Sequence, residues 1–317
     1  MTYGRAGLAV VIALVLAAAF WPALRWRRWR RLLCLIVMTA AILLLPLLVS
    51  VEFPVQRAAV VFVCIFIAMK LYDMHHAAQA APFLPWSAYF AFMLHPFTLV
   101  QRKLADELQP RAGANLVDLA RSVVISVVSL TVSMGIWRVD FTGVPFGVEH
   151  VVKTVAFMAF IYGVVVASTA VWRLPGWRAR PHLHNFFLAR TPAEFWRRYS
   201  RVLGQFLHED VFKQVGGRRS PIRATLIVFA ISGLIHEYAF GIVTERLQGY
   251  QMAFFMVQGL GVVATQRAKP RGVGAMLWTI GTIAFNLAIS VFFFASLNQI
   301  WPYWAEGVPA VLTRSGR

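Results

Sequence analysis

The stretch Ile222-Arg-Ala-Thr-Leu-Ile-Val-Phe-Ala-Ile-Ser-Gly-Leu-Ile-His-Glu-Tyr-Ala-Phe-Gly-Ile-Val-Thr244 is apolar over the length of a bilayer, yet carries His236 and Glu237 in its midst. A helix needs about 20 mostly apolar residues to cross roughly 30 Å of hydrocarbon. Working outward, runs of the same kind lie near residues 6–24, 32–51, 55–72, 83–100, 115–136, 148–172, 249–265 and 273–297. Of the 317 residues 59% are hydrophobic and 14% charged, where a soluble domain carries about 25% charged. One globular core cannot hide that imbalance, so lipid must solvate much of the surface. The expected fold class is an all-α integral membrane protein.

Charge sets the orientation. The net charge is +18, from 31 basic against 13 acidic residues. The basic residues cluster between apolar runs and no nucleic-acid reading module is visible, so retention beside anionic lipid on the cytoplasmic face is the expected reading, and nucleic acid is not an expected partner. The segment 173–223 holds Arg173, Arg178, Arg180, Arg190, Arg197, Arg198, Arg201, Lys213, Arg218, Arg219 and Arg223 against Glu194, Glu209 and Asp210. It is expected on the cytoplasmic side, within a single transmembrane domain covering 1–317. The first run is followed, not preceded, by its basic block (Arg25, Arg27, Arg28, Arg30, Arg31), so it reads as an anchor with an outside amino terminus. For all charges to agree, one earlier run must fail to cross. The run 83–100, with Pro85, His95 and Pro96, is the weakest. The expectation is about eight transmembrane helices plus a re-entrant segment at 83–100, with both termini outside.

Within the cytoplasmic segment, Thr191-Pro192-Ala193-Glu194 reads as a helix start, with Thr as cap, Pro at the first position and Glu at the third. Phe195, Tyr199, Val202, Phe206 and Val211 recur near helical spacing. An amphipathic helix lying in the interface is expected, ended by Gly216-Gly217.

An ionisable residue at mid-span marks a functional site by default. His236 can be a structural histidine that fixes helix packing, or a general base taking the proton of an attacking alcohol near neutral pH. Glu237 points about 100° away from it, while Ser232 lies one turn back on the same face. Cys34 and Cys64 sit inside apolar runs with no ligand or disulfide spacing, and no metal site is expected. His75 and His76 beside Lys70 and Asp73 suggest a cytoplasmic rim.

Two stretches resemble the membrane-bound O-acyltransferase family. Glu194-Phe-Trp-Arg-Arg-Tyr-Ser-Arg-Val-Leu-Gly-Gln-Phe-Leu-His-Glu-Asp-Val-Phe-Lys-Gln-Val-Gly-Gly217 is similar to the family's F-W-R-R-W-[HN] block, aromatic run and paired glycines. Ser232-Gly-Leu-Ile-His-Glu-Tyr238 looks like its S-G-x-x-H-[EG] string. The short chain and the His-Glu pair look most like the wax-synthase-type branch, and the first stretch also resembles the alginate-acetylating branch.

The resemblance implies that His236 is the catalytic histidine. The family's second polar position falls on Ser200, a departure from Asn or His. His208 is a candidate substitute, two helical turns along on roughly the same face, against the blander reading of a histidine facing headgroups. Arg197 and Arg198 are candidates for the phosphates of acyl-coenzyme A. Trp196, Ser232 and Glu237 complete the candidate substrate contacts, although Trp196 also suits an interfacial anchor. The resemblance further implies acyl-coenzyme A as co-substrate, no cofactor, and a hydroxyl acceptor. A long-chain alcohol is favoured, with polysaccharide hydroxyls or a small natural product left open. The competing class is a non-catalytic membrane protein of the same fold, a lipid transporter or an assembly partner. Only Lys70, Lys103, Lys153, Lys213 and Lys269 among the basic residues are not arginine, which hints at a GC-rich bacterial genome and a cytoplasmic (inner) membrane.

Overall fold

A computed structural model describes residues 2–79, 84–106, 111–309 and 312. These residues form helices α1 (Thr2–Ala19), α2 (Arg28–Leu44), α3 (Pro54–Ala77), α4 (Trp86–Leu94), α5 (Ala112–Ile136), α6 (Phe146–Arg173), α7 (Pro192–Arg198), α8 (Arg201–Phe206), α9 (Pro221–Thr244), α10 (Tyr250–Thr265) and α11 (Val273–Leu297). Seven of them, α1, α2, α3, α5, α6, α9 and α11, are long and apolar enough to cross a membrane. The expected all-α membrane fold is present. The eighth expected crossing, 249–265, contains α10, whose 16 residues rise only about 24 Å, short of the hydrocarbon thickness.

The chain divides into two compact units, Met1–Asp106 with Gln205–Met252, and Glu107–Gly204 with Ala253–Arg317. In the first unit α1 presents Ala9, Ala13 and Ala17, four residues apart and fully buried, to a core that includes Val60, Cys64, Ile67 and Leu71 of α3. Small residues at that spacing let helix backbones approach closely where no hydrophobic effect drives association. The outward faces stay apolar: Leu33 and Val37 of α2 are 57% and 60% exposed. Water would not tolerate such a surface, but lipid solvates it.

The segment expected to re-enter begins at residue 83, outside the described residues. From residue 84 it holds only α4, nine residues long, which rises about 13 Å and cannot cross. His95 ends it because a residue before proline is driven out of the helical region, and its ψ is 116°. The freed carbonyls at that end are met by Lys70 of α3. Its buried ammonium donates to the oxygens of Phe92, Met93 and His95 at 2.9, 3.0 and 2.5 Å. A cation at a helix C-terminus is favourable, which explains a lysine inside α3. Tyr89 of α4 donates its hydroxyl to the Ala17 carbonyl of α1.

In the second unit α5 and α6 form a hairpin. A Cβ on Gly163 of α6 would lie 2.5 Å from Ser126 Oγ of α5, so only glycine allows this approach. Asn115 of α5 donates to the Ala170 carbonyl of α6 at 2.9 Å. The polar end of α6 was not foreseen in the sequence. Lys153, buried, pairs with Glu149 at 2.6 Å and donates to the Tyr303 carbonyl at 2.8 Å. Glu149 also accepts from the Ala305 amide at 2.8 Å. This satisfied ion pair ties the segment after α11 to α6.

The continuous helix expected over Thr191–Gly217 does not form. Its start is as read: the Thr191 hydroxyl accepts from the Glu194 amide at 3.0 Å, and Glu194 accepts from the Arg190 amide at 2.8 Å. But α7 stops at Arg198, and Ser200 takes a left-handed φ of 48°. Beyond it come α8, one π-helical stretch Leu207–Phe212 and the turn at Gly216, whose φ is 118°. Apolar periodicity alone did not reveal the break, because one residue in the left-handed region redirects the helix without changing composition.

Candidate functional site

His236 lies well inside α9, which opens with Pro221 at its first position, where the missing amide hydrogen is no loss. Ser232, buried one turn earlier, donates its hydroxyl to the Val228 carbonyl at 3.0 Å. Its own carbonyl oxygen lies 2.8 Å from His236 Nδ1. A carbonyl only accepts, so Nδ1 carries the hydrogen. In the neutral ring Nε2 is then the basic nitrogen. The residue as a whole is half-buried. This is the tautomer that a general base requires.

Glu237 diverges from its neighbour, as helical geometry demands. Its Oε1 accepts from the amides of Gln248 and Gly249 at 2.8 and 2.6 Å, and its Oε2 from those of Gln251 and Met252 at 3.1 and 3.3 Å. The carboxylate therefore caps the first turn of α10, where unpaired amides and the helix dipole favour a negative charge. The substrate contact expected of Glu237 has a competing task in the structure. The turn between the helices is closed by Glu245, with φ of 56°, which pairs with Arg57 at 2.9 Å. Tyr238 donates its hydroxyl to the Leu43 carbonyl of α2.

The same unit contains His208, exposed and stacked on Phe212 with ring centroids 5.2 Å apart. The α-helical spacing that was to bring His208 onto the face of Ser200 is not kept, because Ser200 itself leaves the helical region and π-helical turns begin at Leu207. A buried acidic cluster lies in this unit instead. Asp73 accepts from the Gln101 amide at 2.8 Å and from Arg102 at 2.9 Å, and Arg102 also reaches Asp210. Both carboxylates are fully buried. Burial pushes the Asp210 carboxyl above the usual carboxylate range, against the pull of Arg102. Among the described residues no group of three His, Cys, Asp or Glu side chains could hold a metal.

The other candidates belong to the second unit. Arg198 pairs with Glu194 at 2.5 Å and donates to the Asn185 carbonyl at 3.0 Å. Arg197 is exposed and has no ion pair among the described residues. Of the two, Arg197 is the one whose guanidinium fork is left for an incoming anion. Trp196 is half-buried and donates its indole N–H to Gln258 Oε1 at 3.0 Å, so it is more than an interfacial anchor.

Ser200 Oγ lies 3.4 Å from Nε2 of His182, a residue the sequence did not single out. Two backbone bonds hold the two segments together there: the Arg201 amide donates to the His182 carbonyl at 2.8 Å, and the His184 amide to the Arg198 carbonyl at 3.0 Å. Burial lowers the His182 imidazole to about 4, so it stays neutral at physiological pH. Its only sequence signal was a ring nitrogen in a basic loop, which does not separate it from His184. The structure thus gathers His236, Ser232, Glu237 and His208 in one unit, and Trp196, Arg197, Arg198 and Ser200 in the other.

Comparison with known proteins follows these residues. A family profile described as MBOAT, membrane-bound O-acyltransferase family, matches residues 150–299. A long-chain-alcohol O-fatty-acyltransferase of Simmondsia chinensis is 26% identical over 239 residues, covering 63% of this chain and 67% of that protein.

Proposed function

This chain belongs to the membrane-bound O-acyltransferase family and is an O-acyltransferase of the membrane, and from that premise we propose that it moves a fatty acyl group from acyl-coenzyme A to the hydroxyl of a long-chain alcohol, with His236 as general base. The observation that carries this reading is the bond from His236 Nδ1 to the Ser232 carbonyl. It assigns the ring's lone pair to Nε2 in a half-buried position at mid-span.

In the proposed reaction Nε2 takes the hydroxyl proton as the alcohol oxygen attacks the thioester carbonyl. The C–O bond forms, the tetrahedral centre collapses, the C–S bond breaks, and the imidazolium returns the proton to the departing thiolate. Transfer is direct, with no acyl-enzyme, and holding both reactants in register supplies much of the acceleration. Arg197 meets the coenzyme phosphates from the cytoplasm. Glu237 acts as a positioning residue, since it fixes the start of α10 from the position next to His236. The named activity of the Simmondsia chinensis relative, a long-chain-alcohol O-fatty-acyltransferase, supports a long-chain alcohol as acceptor. The arginine-rich composition supports a bacterial inner membrane as the setting.

The test is incubation of purified protein in lipid nanodiscs with labelled acyl-coenzyme A and a panel of acceptors: long-chain alcohols, oligosaccharides and small phenols. Labelled wax ester from the first group is the expected product. Transfer only to sugars or phenols would replace the acceptor, and full turnover by His236→Ala would remove the base.

A further inference from the structure

Helix α5 belongs to the second unit, and its inner side is taken up by α6. Asn115, Ser122, Ser129 and Ser133 are buried there, and Gly163 of α6 lies against Ser126. The rest of its circumference is open. Among the described residues seven helices are long enough to cross, and α5 is the least covered by the chain itself. That open surface is not purely apolar. Asp118 and Arg121 are both exposed, about 9 and 13 Å along a helix of about 37 Å. Both therefore fall inside the hydrocarbon when the span is centred in it. Among the described residues neither side chain has an ion-pair partner.

Charged side chains at that depth face other protein or a water-filled cavity. Arg121 can bend its long stem toward the headgroups, but Asp118 has a single methylene and cannot. Three residues apart, the two share one face, about 60° from each other around the axis. They also fall on a regular seam. Ala114, Asp118, Arg121, Ile125, Val128 and Val132 follow one another at alternating spacings of four and three. All are exposed except Ile125, which is half-buried. Helices that pack side by side along a shared stripe show this spacing. The seam lies about a quarter turn from the side that α6 covers.

The charges on this stripe decide what can cover it. A helix from an unrelated protein would need its own Arg and Asp in matching order, whereas a second copy supplies them necessarily. We propose that the outer stripe of α5 is a homodimer interface in which Asp118 and Arg121 pair reciprocally between two copies of this chain. A two-fold axis along the membrane normal keeps both copies in the same orientation. Asp118 of each then faces Arg121 of the other, and the four charges cancel. Side chains on a helix lean toward its N-terminus, which brings the longer Arg121 to the level of Asp118. Ile125, Val128 and Val132 continue the contact as an apolar seam. The interface is independent of the acyl-transfer reading.

The experiment uses the full chain in native membranes. With a mild oxidant Val128→Cys, on the stripe, should give a disulfide-linked dimer. Val123→Cys, exposed on the opposite side of the helix, should not. The parent, with Cys34 and Cys64 alone, sets the background. In nanodiscs Asp118→Arg and Arg121→Asp each leave four like charges at the seam and should raise the dimer dissociation constant by at least about tenfold. Combining both substitutions in one chain should restore the dimer. Mixing the two single variants, each with its own tag, should give mixed dimers, which also shows that both fold. A parent that stays monomeric in membranes would overturn the proposal, as would equal crosslinking at the two cysteine positions. So would single variants that dimerise like the parent, or that fail to pair with each other. Capture of a different membrane protein by Val128→Cys in place of a second copy would overturn it as well.

Discussion

The Nδ1 hydrogen of His236 is held by the carbonyl oxygen of Ser232, 2.8 Å away and one turn earlier on the same helix. The bond needs no other element, because residues four apart on a helix lie one above the other. Nitrogen NMR of labelled protein at neutral pH should show a protonated Nδ1 and an unprotonated Nε2. His236→Gln, which keeps polarity but has no titratable nitrogen, should lose roughly 1,000-fold in kcat. The reverse tautomer in the spectrum would contradict the assignment.

Glu237 makes a separable contribution. Removing a carboxylate that accepts from four amides at a helix start should cost about 1–2 kcal/mol of stability. Glu237→Ala should show this as a lower thermal midpoint in detergent, with Glu237→Gln between it and the parent. An unchanged midpoint for Glu237→Ala would show that the cap is not needed.

Ser200 has a backbone requirement independent of its hydroxyl. At φ 48° a β-branched side chain is strained, by about 1–2 kcal/mol. Ser200→Val should unfold earlier in denaturant, whereas Ser200→Gly and Ser200→Asn, whose residues tolerate this region, should not. Equal destabilisation of all three would mean that the contact with His182, not the backbone, governs the position.

Arg102 stands between two buried carboxylates. Arg102→Met should destabilise the protein by on the order of 3 kcal/mol, since both acids lose their counter-charge. Asp210 already sits above the ordinary carboxylate range, so folding favours its protonated form. Its contribution is present in full below the unfolded-state pKa and is lost as pH rises through the higher folded value. The variant should therefore be closest to the parent at acid pH and fall away as pH climbs. A deficit that is flat with pH would show that Asp210 does not titrate in that range.

Much of the membrane architecture was legible because lengths and apolar runs are one-dimensional facts. The failure of 83–100 to cross could be read from Pro85, Pro96 and the charge count. What closes its broken end could not: Lys70 looked like a rim residue, yet it caps α4 from a different helix. The break at Ser200 was equally hidden, since a left-handed φ leaves no mark on periodicity. His182 was missed for a related reason: it gains its meaning from Ser200, a partner on another segment of the chain.

His236 and Ser232 illustrate what the sequence by itself determined. Their contact lies within one helix, where spacing dictates geometry, and the apolar residues around them dictate a lipid setting. Only the tertiary structure decided that Glu237 turns to α10, that Arg198 but not Arg197 is tied to Glu194, and that Trp196 meets Gln258. Hydrogen bonds between elements depend on which side chains the packed helices bring within about 3 Å, and no local pattern encodes that meeting.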